Sequence, residues 1–103
     1  MEFGNLQMYI DGDMKSSVDN LKKDIYSPLN GQKIASLAWG NQKDSLIALE
    51  SASKGFKVWS KLPLTKRKEW MYMLREKILE NEVLLRKAIS YEMGKPYSAT
   101  AED

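Results

Sequence analysis

Lys61-Leu62-Pro63-Leu64-Thr65-Lys66-Arg67 opens, and Tyr91-Glu92-Met93-Gly94-Lys95-Pro96 closes, a stretch that runs thirty residues after Pro63 without another proline or glycine. Between these ends, Trp70, Met71, Leu74, Ile78, Leu85, Ala88 and Ile89 recur mostly at intervals of three and four, so one face of a helix, or of two helices in series, is apolar. The other face is charged. Pro63 sits where a missing N–H costs nothing, and Gly94 followed by Pro96 is a stop signal, since glycine accepts the left-handed cap and proline cannot continue a helix. The spacing predicts helices over 64–80 and 82–93, with Asn81 as break and new cap. Leu79, Val83 and Leu84 fall off the main stripe, which predicts burial on a second side, against elements beyond residue 103.

Upstream, Ser45, Leu49, Ala52, Phe56 and Trp59 step by four, three, four and three, predicting a helix over 41–60. Asn41 is placed to cap it, and Asp44, three residues on, would meet the exposed amides at its positive end. Gly55 beside Phe56 would let another backbone approach closely. The 9–39 region predicts short antiparallel hairpins. Tyr9-Ile10 precedes Asp11-Gly12, a pair that tolerates the positive φ of a tight turn. Ile25-Tyr26 leads into Pro28-Leu29-Asn30-Gly31, and Lys33 to Trp39 alternates as a strand. Residues 1–8 read as a tail and Ser16 to Lys23 as loop, while Tyr97 to Asp103, rich in small residues, reads as the start of another helix. The fold class is therefore α+β, with short antiparallel hairpins followed by three amphipathic helices.

Bulk composition excludes more than it assigns. The chain has 103 residues, 43% of them hydrophobic and 29% charged, with a formal charge of +2. That is one domain at most, able to bury roughly 65% of its unfolded surface if it packs as a complete unit. No run approaches the roughly 18 apolar residues of a membrane span, and the N-terminus lacks a signal-peptide pattern, so a cytoplasmic location is expected. The basic residues are interleaved with acids and the net charge is small, which argues against nucleic acid. There is no cysteine and no histidine, which removes the thiolate nucleophile, the thiolate metal site and the commonest general base. The glycines never approach dinucleotide-loop spacing. Phe56, Trp59 and Trp70 lie on apolar stripes and are expected in a core rather than on a stacking platform. Arg67, with Lys66 and Lys68, sits at the unfavourable end of its helix for a cation, so an acid is expected to compensate it.

The order of these features carries a resemblance. Tyr9-Ile10-Asp11-Gly12, Ser27-Pro28-Leu29-Asn30-Gly31-Gln32-Lys33-Ile34-Ala35, Asp44 with Ala52, Phe56 and Trp59, Leu62-Pro63 with Arg67, and Glu92-Met93-Gly94-Lys95-Pro96 together resemble the N-terminal fifth of the NAD(P)-dependent aldehyde dehydrogenase superfamily. The Glu-Met-Gly-Lys-Pro wording is most similar to bacterial succinate-semialdehyde dehydrogenases, in a region that does not line the substrate pocket. Gly55, where the family usually has alanine, and Lys66, where it usually has an acid, depart from the pattern.

The resemblance implies that residues 1–103 are the N-terminal part of the cofactor-binding domain of an α/β enzyme. In that family a cysteine thiolate attacks the aldehyde, hydride passes to nicotinamide, and a glutamate activates the water that releases the acid. The nucleophile, the oxyanion-hole asparagine, the glutamate and the cofactor contacts would all follow Asp103, so no catalytic or cofactor-binding residue is assigned here. The complete enzyme would use NAD or NADP and an aldehyde and form a homodimer or homotetramer. This chain alone would bind no cofactor and would partner the rest of the enzyme. Some relatives hold a sodium or potassium ion with an acid shortly after Gly-Lys-Pro, a position that Asp103, or else Glu102, would match. The alternative from another class is a stand-alone helical interaction module without enzymatic activity.

Overall fold

The computed structural model describes residues 2–102. Five strands, β1 (Asn5–Leu6), β2 (Met8–Ile10), β3 (Asp13–Lys15), β4 (Lys22–Tyr26) and β5 (Lys33–Ala38), precede three helices, α1 (Gln42–Trp59), α2 (Leu64–Glu80) and α3 (Glu82–Met93). A 3₁₀ segment at Tyr97–Glu102 follows. β2 and β3 form a two-stranded hairpin, and β5 is the centre of a second sheet in the order β1-β5-β4.

Turn chemistry sets both hairpins. Asp11 (φ 55°) and Gly12 (φ 81°) are both left-handed, the geometry that matches the twist of a two-residue hairpin. Gly31 (φ 71°) closes the second turn, its N–H donating to the Ser27 carbonyl at 2.8 Å. On this hairpin Lys33 and Asp24 form a cross-strand ion pair at 3.0 Å. The Lys33 hydrogen bond holds the Asp24 carboxyl below its usual range, and Asp24 in turn raises Lys33.

Residues 1–8, expected as a tail, contribute a strand. β1 runs parallel to β5, pairing Asn5 with Ser36 and Leu6 with Leu37. The cause lies in β5: β4 satisfies only one of its edges, and the other edge carries backbone groups that need partners. The Phe3 N–H donates to the Ile34 carbonyl at 2.6 Å, and the Ser36 N–H donates to the Gly4 carbonyl at 2.9 Å. With neighbours on both sides, Ile34, Ala35 and Ser36 are the buried centre of the sheet. The 16–23 stretch is likewise not all loop, because Lys22 and Lys23 already pair in β4 with Ala38 and Leu37.

α1 starts where its capping box dictates. The Asn41 Oδ1 accepts from the Lys43 and Asp44 amides at 2.9 and 3.3 Å, and the Asp44 Oδ2 accepts from the Asn41 amide at 2.9 Å. Such a cap contributes about 1 kcal/mol. α2 has no comparable cap; Pro63 precedes it with no side-chain hydrogen bond. α3 ends on Gly94 in the left-handed region (φ 73°), with the Gly94 N–H donating to the Ser90 carbonyl at 2.9 Å. Tyr97 to Glu102 is 3₁₀ rather than α-helix.

The Cα trace measures 47 × 36 × 15 Å. Packed layers lie about 10 Å apart, so a slab this thin contains at most one buried interface between two layers. Among the described residues only Ile34 and Ala35 are buried apolar side chains. Phe56 (68% exposed) and Trp70 (55%), expected in a core, are open to solvent, as are Leu79, Val83 and Leu84. Helical periodicity marks which face is apolar, and nothing in these residues covers it. Gly55 likewise faces open space, with no atom within 4 Å of the position a Cβ would take.

Candidate functional site

The feature the fold builds with most care joins two stretches 64 residues apart. Ser27, at the end of the β4 hairpin strand, is 1% exposed. Its Oγ donates to the Tyr91 carbonyl at 2.6 Å and accepts from the Leu29 amide at 3.2 Å. Tyr91 lies in the last turn of α3, where carbonyls have no intrahelical partner, so the hydroxyl caps the helix from outside. Immediately beyond, Gly94 packs so tightly on Pro28 that a Cβ would sit 3.2 Å from the proline Cγ. Ser27-Pro28-Leu29 and Tyr91-Glu92-Met93-Gly94 thus form one clamp, which holds α3 against the sheet. A cleft of about 340 Å³ opens beside it, lined by Phe3, Ile34, Leu37, Ala88 and Glu92 among others.

Two further nodes fix the surroundings. Asp44, 5% exposed, caps α1 and also accepts from the Val18 amide through Oδ1 at 2.9 Å, tying the loop before β4 to the helix start. Asp19 reinforces the tie by accepting from the Asn41 side-chain amide. At the far end, Arg86 donates through Nε to the Thr100 hydroxyl and through Nη2 to the Tyr97 carbonyl, both at 3.0 Å. It also stacks over the Tyr97 ring at 4.3 Å and pairs with Glu82 at 3.1 Å. One arginine therefore anchors the 3₁₀ segment onto α3, with Thr100 buried beneath it.

Each of these nodes ties separate backbone segments together. Asp103, the residue expected at a cation site, lies outside the described residues, and Glu102 ends the 3₁₀ segment. Among the described residues no group of three acids could hold a metal ion. The start of α1 is not an open phosphate cradle: the Lys43 and Asp44 amides already donate to the Asn41 Oδ1, the Asp44 carboxylate beside them would repel a phosphate, and the glycines cluster nowhere. The acid expected to compensate Arg67 is not found among the described residues. Among the described residues its Nε is shielded from solvent and has no hydrogen-bond partner, because Lys66 takes Glu69 for itself at 3.1 Å and the first turn of α2 contains no acid. Sequence reading missed Ser27, Arg86 and Thr100. Only the Ser-Pro turn hinted at the first, and the contacts that make the nodes, Ser27 to Tyr91 and Arg86 to Tyr97 and Thr100, join residues too distant in sequence to be signalled.

A family model described as the aldehyde dehydrogenase family matches residues 15–103. The malonate-semialdehyde dehydrogenase 2 of Oceanobacillus iheyensis is 30% identical over 94 residues, which are 91% of this chain and 19% of that protein. The D-glyceraldehyde dehydrogenase (NADP(+)) of Thermoplasma acidophilum is 31% identical over 97 residues, covering 94% of this chain and 20% of the relative. Among solved structures, PnpE in complex with nicotinamide adenine dinucleotide superposes with a TM-score of 0.87 at 28% identity, over 92% of this chain and 20% of the other. The chain spans about a fifth of the length of these relatives.

Proposed function

We propose, from the premise that this chain belongs to the aldehyde dehydrogenase family, that it builds one side of the NAD(P)-binding domain of an enzyme that oxidises aldehydes to carboxylic acids. The observation that carries the proposal is the continuous family match over residues 15–103, at a fold likeness of 0.87 to a relative solved with its dinucleotide. The reaction converts an aldehyde, water and NAD(P)+ into a carboxylate, NAD(P)H and two protons. This chain has neither cysteine nor histidine. Its own part is architectural: the Ser27–Tyr91 clamp and the Asp44 node hold the opening sheet and helices in register. The remaining four-fifths of a family-length protein would supply the nucleophile, the base and the cofactor contacts.

The same reading places the enzyme in the cytoplasm as a homodimer or homotetramer. Among the described residues no helix is long and apolar enough to cross a membrane. The names of the relatives suggest small aldehydes as substrates, with semialdehydes first. The test is absorbance of NADH or NADPH formed by the full-length protein with malonate semialdehyde, succinate semialdehyde and D-glyceraldehyde. Reduction of either cofactor with one of them is expected, and no reduction with any would overturn the reading. Nothing supports the stand-alone interaction module.

A further inference from the structure

The apolar stripe of α2 has an arginine at its N-terminal end. Trp70 and Met71 lie three and four residues beyond Arg67, Leu74 seven and Ile78 eleven, so all five share one helix face. The four apolar side chains are each about half exposed, while the Arg67 Nε is already shielded from solvent without a partner among the described residues. A cover that was only apolar would bury a guanidinium unpaired, the most costly arrangement for a charge. The cover must therefore bring an acceptor.

Electrostatics choose the kind of acceptor. The start of α2 has no side-chain cap and no acid in its first turn, and it carries Lys66 and Lys68 as well as the positive end of the helix dipole. Lys66 is paired with Glu69, and Lys68 lies over the Tyr72 ring at 5.6 Å. The positive potential left at Arg67 favours a carboxylate over a neutral carbonyl, and a guanidinium fork accepts one bidentately. A second copy of this face brings no acid, since Arg67, Trp70, Met71, Leu74 and Ile78 are all that the stripe offers. The relatives, by contrast, are about five times as long as this chain.

We infer that the α2 stripe is the seat of a segment from the rest of the full-length protein that sets an aspartate or glutamate carboxylate on Arg67. The inference rests on the reading that this chain is part of a longer family member. Arg67 is a positioning residue, which registers the covering segment on the α2 layer by charge while Trp70, Leu74 and Ile78 supply the apolar contact.

The test uses full-length protein carrying Arg67→Lys, treated with a water-soluble carbodiimide. The carbodiimide activates a contacting carboxylate, the introduced amine displaces the urea, and an amide forms as one carboxylate oxygen leaves with the urea. Peptide mass spectrometry is expected to find a link from position 67 to an acid outside residues 1–103, within one chain and absent from wild type. A link only to Glu69 or another acid within 1–103, a link between two chains, or no link overturns the inference. Arg67→Met keeps the packing but strands the carboxylate, and should lower the folded-to-unfolded ratio at least about a hundredfold while Arg67→Lys costs far less; equal stability of Arg67→Met and wild type also overturns it. Cofactor reduction by the wild-type protein is read separately. Activity without the link sinks the docking inference alone, and the link without activity sinks the enzymatic reading alone.

Discussion

Exchanging one carboxylate oxygen of Asp44 for an amide nitrogen tests the node between the loop before β4 and the start of α1. Both hydrogen bonds are received from backbone N–H groups, Val18 onto Oδ1 and Asn41 onto Oδ2, each at 2.9 Å. Asparagine has one acceptor oxygen, so Asp44→Asn keeps at most one of these bonds and turns an N–H donor toward the other amide. The side chain is 5% exposed, which leaves little water to take the lost place. A hydrogen bond to a charged acceptor is worth about 1.5–3 kcal/mol, and a stranded buried amide costs about 1–3 kcal/mol. The substitution should therefore weaken the node by about 2–4 kcal/mol, with Asp44→Ala only somewhat worse. At about 1.4 kcal/mol per decade, that is a roughly 30- to 1,000-fold rise in the opening constant. Hydrogen exchange followed by mass spectrometry reads this locally, in peptides covering 15–22 and 40–48, without requiring reversible global unfolding. Exchange within about threefold of wild type in both peptides would refute the reasoning. So would a large effect of Asp44→Ala beside none of Asp44→Asn, because then shape rather than the second acceptor would hold the node.

Two further outcomes follow from the same geometry. Gly94→Ala places a Cβ 3.2 Å from the Pro28 Cγ at φ 73°, so it should cost about 1–2 kcal/mol for the left-handed backbone alone and lower the thermal midpoint of the full-length protein; an unchanged midpoint would show that the clamp is loose. Asp24 should titrate below its ordinary 3.8, and a carbon-detected carboxyl titration should return it toward 3.8 in Lys33→Gln. The sign for folding is fixed by the two directions. Support from Asp24 is present above 3.8 and lost as pH falls through its lowered folded value, and support from Lys33 is present below 10.5 and lost as pH rises through its raised one. Both groups are exposed, so the effect on stability is small.

What was legible in the sequence was whatever is decided within a few residues. Asp11-Gly12 makes its turn because both residues accept positive φ, Asn41 and Asp44 close a capping box at a fixed spacing of three, and Gly94 stops α3 by its own backbone freedom. What was not legible depends on partners far along the chain. Asn5–Leu6 looked like tail because its strand exists only when β5 offers an open edge. Ser27 and Thr100 are small polar residues that no periodicity marks, yet they are the most buried side chains of the molecule's described part. The stripes misled in the opposite direction. Phe56 and Trp70 have the spacing of core residues, and the spacing is correct, but it reports a wish for a neighbour and not its presence.

The same distinction explains why Glu92 to Pro96 points to a family. The segment is demanding because three constraints meet in its backbone: a left-handed residue at Gly94, a proline ring within van der Waals contact of it, and a serine hydroxyl capping the carbonyl at Tyr91. A side chain at position 94 strikes the proline, and loss of the hydroxyl at 27 strands a carbonyl. Each piece alone is a common turn or cap. Their conjunction across 64 residues is not, since a substitution in one stretch is felt at once in the other. What the clamp fixes is the placement of α3 on the β1-β5-β4 sheet, and from there the direction in which the bare faces of α2 and α3 look. A motif can therefore identify a fold by the geometry it enforces across distant stretches of chain.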